Sequence, residues 1–120
     1  MNTKETGNIG EQKAVQYLLK NEFKIIFKNF RKHGFEIDIV ALDKNDVLRF
    51  IEVKAVVDGS LEDAAFSIEN RNIYRYINGV DAFLVEYPLY RDRSMAMDAV
   101  IVQDDLITYY ENITGGLLIT

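Results

Sequence analysis

EIDIVALD at residues 36–43 and VLRFIEVKAV at residues 47–56 are two β-branched runs separated by the turn formers Asp43, Lys44, Asn45 and Asp46. They read as the two strands of a hairpin. Side chains alternate faces along a strand, so Glu36 and Asp38 are expected on one face of the first run and Ile37, Ile39 and Ala41 on the other. Glu52 and Lys54 likewise share a face of the second. Phe50, Ile51, Val53 and Ala55 make that second run apolar enough for the inside of a sheet, where two charges pointing one way are costly unless they meet partners or a ligand. Brought together by the hairpin, Asp38, Glu52 and Lys54 admit two readings. Two carboxylates suit a hard divalent cation such as Mg²⁺ or Mn²⁺, which selects oxygen ligands and keeps several waters. Alternatively, Lys54 neutralises Asp38 or Glu52 as a cross-strand ion pair.

Working outward, FKIIFKNF at 23–30 is aromatic and β-branched, with lysines that suit an edge strand. Before it, Ala14, Val15, Leu18 and Leu19 recur at helical spacing and predict an amphipathic helix from about Ile9 to Asn21. That places Glu11 at the start of the helix, where a carboxylate suits the positive end of the dipole. Beyond the hairpin, Ser60 with Asp63 resembles a capping box, and Ala64, Ala65, Ile68, Ile73, Tyr76 and Ile77 predict a second helix ending at Gly79. VDAFLVEY (80–87) then reads as an apolar strand ended by Pro88, MAMDAVIVQ (95–103) as another, and LITYYEN (106–112) as a last one after a turn at Asp104 and Asp105. The order predicts an α/β or α+β domain over residues 1–112, with a mixed central sheet flanked by helices, and a tail at 113–120. The helix after the third strand is expected to make a right-handed crossover to a parallel neighbour.

The 120 residues are 48% apolar with a single proline, which suits one core and one domain. The absence of cysteine excludes a disulfide framework, a thiolate nucleophile and Cys-ligated zinc or iron–sulfur centres. One histidine, His33, argues against a Ser-His-Asp triad or a His-rich metal site. No apolar run approaches the roughly 18 residues of a membrane span, and residues 1–20 lack a secretory core, so a cytoplasmic protein is expected. The net charge of −5 is the wrong sign for holding nucleic acid by bulk electrostatics. It is unevenly spread: residues 1–33 carry seven basic side chains against three acids, and residues 34–120 carry seven against sixteen. The basic third is either a phosphate-facing surface or an ordinary solvated face.

Asp38 in EID, followed after thirteen residues by Glu52-Val53-Lys54 on the next strand, resembles the D…(D/E)xK core of the PD-(D/E)xK nuclease superfamily, with Ile37 in place of the nominal proline. More closely, Gly7-Asn8-Ile9-Gly10-Glu11, Asn29-Phe30-Arg31, Glu36-Ile37-Asp38-Ile39-Val40-Ala41 and Phe50-Ile51-Glu52-Val53-Lys54 resemble the bacterial YraN, or UPF0102, family of endonuclease-like proteins, related to Holliday junction resolvases. Asp98 in MDAVIV fits a later family strand. The resemblance covers roughly residues 7–112. It departs at Lys54-Ala55-Val56, where the family runs VKTR, at Phe35, where it has glycine, and in the second helix, where Arg71 and Arg75 are the nearest cations to a family lysine.

The resemblance implies a restriction endonuclease-like αβββαβ core and metal-dependent hydrolysis of a DNA phosphodiester. It implies that Asp38, Glu52 and the carbonyl of Val53 hold one or two Mg²⁺ or Mn²⁺ ions, with Glu11 approaching from the first helix. Lys54 would orient the attacking water or take its proton. Arg31, Lys32, Arg71 and Arg75 are candidates for positioning the phosphates of a nucleic acid, DNA before RNA. The resolvase branch is dimeric, so a homodimer is implied, with the apolar region from Leu106 to Ile119 as a self-association surface or as ordinary core. Two rivals share the residues: a domain of the same fold that binds nucleic acid without cutting it, and a protein-interaction domain in which Asp38, Glu52 and Lys54 form only an ion pair.

Overall fold

The computed structural model describes residues 3–56, 61–69 and 73–113, with the backbone alone described at 3, 66–69 and 73–75. Helix α1 (Thr3–Lys20) leads into strands β1 (Lys24–Lys32), β2 (Phe35–Leu42) and β3 (Leu48–Val56). Helices α2 (Leu61–Glu69) and α3 (Ile73–Glu86) follow, then a 3-10 turn at Pro88–Tyr90 and strands β4 (Met95–Gln103) and β5 (Leu106–Tyr110). The sheet runs β1-β2-β3-β4-β5, antiparallel except for the β3–β4 pair. This is the expected α+β class, a mixed sheet flanked by helices in an αβββαβ arrangement, and β1 is at an edge as its lysines require.

Local chemistry explains the tight connections. His33 and Gly34 bridge the Lys32–Phe35 pair with φ of 53° and 81°, the positive values that a two-residue hairpin needs to match strand twist. The β2–β3 turn is organised by Asp43, whose Oδ1 accepts from the N–H groups of Asn45 (2.8 Å) and Val47 (3.0 Å). Helix α1 ends with Glu22 at φ 66° while the N–H of Phe23 bonds the Leu18 carbonyl at 3.0 Å, a six-residue closure that satisfies a terminal carbonyl.

Helix α1 covers one face of the sheet and α3 the other. On the α1 side, Ala14 and Leu18 pack with Ile39, Ala41, Ile51, Val100 and Val102. On the other, Phe83 meets Phe30 and Phe50 edge-on at 5.2 and 5.7 Å, within a cluster that includes Val80, Leu84 and Met97. Strand β4 sits between the layers, buried from Met95 to Val102. Among the described residues no helix is long and apolar enough to cross a membrane.

Three expectations are corrected. Residues 80–87 are not a strand: Val80, Phe83 and Leu84 are buried while Asp81, Val85 and Glu86 are exposed, a helical period that continues Tyr76 and Ile77 through α3. Gly79 therefore does not stop a helix. It sits inside α3 where the helix passes close to β2, and a Cβ there would meet Phe35 Cβ at 3.4 Å. The helix ends instead before Pro88, at Tyr87 with φ −124°, so the parallel neighbour of β3 is β4 and the crossover consists of α2 and α3.

Second, α1 begins six residues before the predicted Ile9, so Glu11 lies midway along the helix and owes nothing to its dipole. Third, Ile37 does not share a face with Ile39 and Ala41. It joins Val40 and Leu42 under α3, because strict alternation slips by one between Ile37 and Val40. Strand β1 slips in step, since both Phe27 and Phe30 pack on the α3 side, and between them Asn29 adopts a φ of 57°. The Ser60 cap and the tail beyond Ile113 lie outside the described residues.

Candidate functional site

The slip in β1 and β2 falls where the metal-site reading needs it. The β2–β3 ladder runs from Leu42–Leu48 to Ile39–Ile51 and stops, one residue short of the Asp38–Glu52 position. Beyond it the strands fork. The Asp38 side chain fills the fork: its Oδ2 accepts the backbone N–H of Val53 at 2.8 Å, replacing the ladder carbonyl that β2 no longer supplies. Asp38 is thus held against the Glu52-Val53-Lys54 segment, which remains paired on its other side with Ala99, Val100 and Ile101 of β4.

Alternation along β3 places Val53 with Ile51 on the α1 side, where Val53 packs on the core, and turns Glu52 and Lys54 to the face of Phe50. There Ala99 and Ile101, their neighbours on β4, pack against Ala64 of α2. Lys54 is exposed and Glu52 half-buried. Oε2 of Glu52 is buried and accepts no hydrogen bond from the described residues, although the residue interacts with its surroundings.

Glu11 reaches the region from α1. Its Oε1 accepts from Asn29 Nδ2 at 2.9 Å, and Asn29 is the β1 residue level with Asp38, flanked by the Lys28–Ile39 and Phe30–Ile37 pairs. The helix comes this close because residue 10 is glycine: a Cβ on Gly10 would stand 2.8 Å from the Cβ of Ala55, so any larger residue must lift α1 off β3. The fork brings Asp38 against the backbone of Val53, whose chain neighbours are Glu52 and Lys54, and the helix brings Glu11 to Asn29, the β1 residue level with Asp38. Among the described residues no three acidic or imidazole groups converge as a metal cluster. Asp38, Glu52 and the Val53 carbonyl, the groups that would hold a metal here, are all hard oxygens, the donor chemistry that suits Mg²⁺ or Mn²⁺.

The phosphate candidates are placed differently. Arg31 pairs with Glu36 at 3.2 Å and Lys32 with Glu86 at 2.6 Å, both at the β1–β2 hairpin and on the surface. Arg75 lies on α3, and Arg71 is outside the described residues.

A second charged group escaped the sequence reading. Arg49 and Asp98, on adjacent strands, meet at the opposite end of β3 from the fork. Arg49 donates Nη1 to both oxygens of Asp98 (3.2 and 3.3 Å) and Nε to Asp43 (3.2 Å). Asp98, fully buried, also accepts the Tyr109 hydroxyl and the Asn112 N–H, the latter at 2.8 Å. Burial pushes the Asp98 carboxyl above its ordinary range despite the Asn112, Tyr109 and Arg49 donors. Burial, then the Asp98 charge, pushes the Tyr109 hydroxyl far up. Burial opposes the Arg49 charge, but Asp98, Tyr109 and Asp43 outweigh it and leave its pKa raised. Opposite charges in the centres of two apolar runs, LRFI and MDAV, were the available signal.

Comparison with known proteins places the sequence in a family. The sequence pattern of Uncharacterised protein family UPF0102 matches residues 10–102. A UPF0102 protein of Aliarcobacter butzleri is 40% identical over 114 residues, covering 93% of this chain and 98% of that one. A UPF0102 protein of Petrotoga mobilis is 35% identical over 111 residues, covering 92% and 96%. That of Sulfurimonas denitrificans is 37% identical over 108 residues, covering 90% and 94%. With a match over most of its length and relatives aligned nearly end to end, the chain belongs to the UPF0102 family.

Proposed function

We propose that the chain is a metal-dependent endonuclease-like protein that acts on DNA by phosphodiester hydrolysis at the β2–β3 fork. The observation that carries this reading is the bond from the Val53 N–H to Asp38, which holds the EID segment against Glu52-Val53-Lys54 where the ladder has ended.

In this reading Asp38, Glu52 and the Val53 carbonyl hold Mg²⁺ or Mn²⁺, which when bound supplies charge neutralisation at the phosphate and a more acidic water. The Val53 N–H fixes one Asp38 oxygen at the fork. Lys54, exposed on the same segment, would orient the attacking water through Nζ, and would take its proton only as the neutral amine. Glu11, steadied by Asn29, positions the outer side of the site. Lys28, exposed on β1 one residue from Asn29, opposes part of the phosphate charge that a net charge of −5 would otherwise repel.

The test incubates wild type and Lys54→Ala with labelled linear duplex, single-stranded, flapped and four-way-junction DNA, each with Mg²⁺, Mn²⁺ or chelator. Metal-dependent cleavage by wild type alone is the expected result. No cleavage in any condition overturns it, and DNA binding retained by both proteins would then identify a binding domain of the same fold.

A further inference from the structure

A cleft of about 400 Å³ opens between α1 and β1, lined by Asn8, Glu11, Gln12, Gln16, Lys28 and Asn29 along with Val15. Four of these seven residues are carboxamides and only Glu11 and Lys28 are charged. Asn8, Gln12 and Gln16 recur every four residues along α1 and so form one ridge of carboxamides, all of them exposed. A carboxamide presents a donor and an acceptor side by side, the arrangement that pairs with the edge of a nucleobase. Across the cleft Lys28 is exposed, while Glu11 is half-buried and bonded to Asn29. A phosphate is therefore favoured at the Lys28 lip and disfavoured deeper in, beside Glu11. The polarity of the cleft orients a nucleotide, backbone outward and base edge toward α1.

We propose that this cleft receives one unpaired nucleotide of a nucleic-acid strand, its phosphate at Lys28 and its base edge against the Asn8-Gln12-Gln16 ridge. The volume suits one nucleotide and not a base pair within a duplex. Because Asn29 stands level with Asp38, the nucleotide held here neighbours the bond presented to the fork; that placement rests on the nuclease reading, whereas the cleft's own affinity does not. The substrate class is then DNA with an unpaired nucleotide beside the cut, such as a flap or a junction, and not blunt duplex.

The experiment measures fluorescence anisotropy of a labelled flapped duplex, a single-stranded oligonucleotide and a blunt duplex, in chelator, with the full chain. The variants are Gln12→Ala/Gln16→Ala, Lys28→Gln and, as a control, Lys44→Gln. Loss of the two carboxamides is expected to weaken flap and single-strand binding about tenfold, the scale of one base-edge contact, with less than about a twofold change for blunt duplex. Lys28→Gln is expected to lower the salt slope of single-strand binding by about 0.7, one phosphate's worth. Lys44→Gln, in the β2–β3 turn at the other end of the hairpin, should bind as wild type does. Both alanine positions are exposed and helix-compatible, and Lys28→Gln tests the cleft independently from the strand side.

Equal loss on all three substrates, or no loss on any, overturns the proposal, as does absence of binding by wild type. Selective loss of flap binding in a protein that cleaves nothing would support the cleft and refute the nuclease. Cleavage with an unaltered preference between flap and blunt duplex in the double variant would do the reverse.

Discussion

Strand β3 carries a charged group at each end, and the two are built on opposite terms. At its start, Arg49 and Asp98 close a network with Asp43 and Tyr109 in which the ladder is intact and Asp98 has no exposure. At its far end the β2–β3 ladder stops, and Asp38 bonds a backbone N–H in the opening. The difference separates two uses of ionisable residues in a sheet. A saturated buried group holds strands together, since removing one partner leaves an uncompensated charge. A carboxylate set into a fork bridges the two strands where their own backbone bonds have ended. Residue type alone does not distinguish the two; the ladder does.

The sharpest way to break the comparison is to remove one side chain from each end. Lys54→Ala is expected to lower metal-dependent cleavage by about 10²–10⁴-fold, the usual scale of a lost proton-transfer group, with the urea midpoint unchanged because Lys54 is exposed. Arg49→Ala should do the converse, costing about 3–5 kcal/mol in urea unfolding because Asp98 stays buried without its counter-charge. If Arg49→Ala unfolded at the wild-type midpoint, the two ends would not differ as described.

Gly10→Ala comes next, at about 1–3 kcal/mol for overpacking against Ala55. It should weaken cleavage by lifting Glu11 from the fork, and Ala55→Gly in the same chain should restore part of both losses. Gly34→Ala is smaller, about 1 kcal/mol for a side chain at φ 81°, and should leave cleavage alone.

The last prediction concerns pH. With its folded pKa raised from 3.8, Asp98 takes up a proton more readily folded than unfolded. Its contribution therefore favours the fold at low pH and is lost as pH rises through the folded pKa. Asp98→Asn should remove that fall, seen as a flatter urea midpoint from about pH 4 upward.

Much of this was legible in the sequence for definite reasons. MAMDAVIVQ is legible as a strand to the residue because its flanks, Ser94 and Asp104, are polar and its interior is apolar but for Asp98. The hairpin and its Asp43 turn followed from side chains that bond their own backbone. VDAFLVEY misled because a short apolar run has no period of its own; only its continuity with Tyr76 and Ile77 marks it as helix.

The candidate site was legible by motif and illegible in geometry. Asp38, Glu52 and Lys54 could be named, but the alternation rule that assigned Asp38 its face fails at that residue, where β1 and β2 slip together at Asn29 and Asp38. No pattern in one strand announces a slip that needs two. The Arg49–Asp98 pair was hidden for a related reason: its partners lie 49 residues apart, and parallel register is not written in either strand.

The connectivity of the sheet also sets an order of assembly. Strands β1, β2 and β3 are joined by short turns, so the fork at Asp38 is a product of local hairpin contacts that close quickly. Strand β4 reaches β3 only after the α2–α3 crossover, a long loop whose closure entropy must be met before its contacts reward it. A folding chain thus forms the meander that frames Asp38 and Val53 before the bond between Arg49 and Asp98 can exist. Kinetically, the docking of β4 is the late step, and the Arg49–Asp98 network is the latch that makes it hard to reverse.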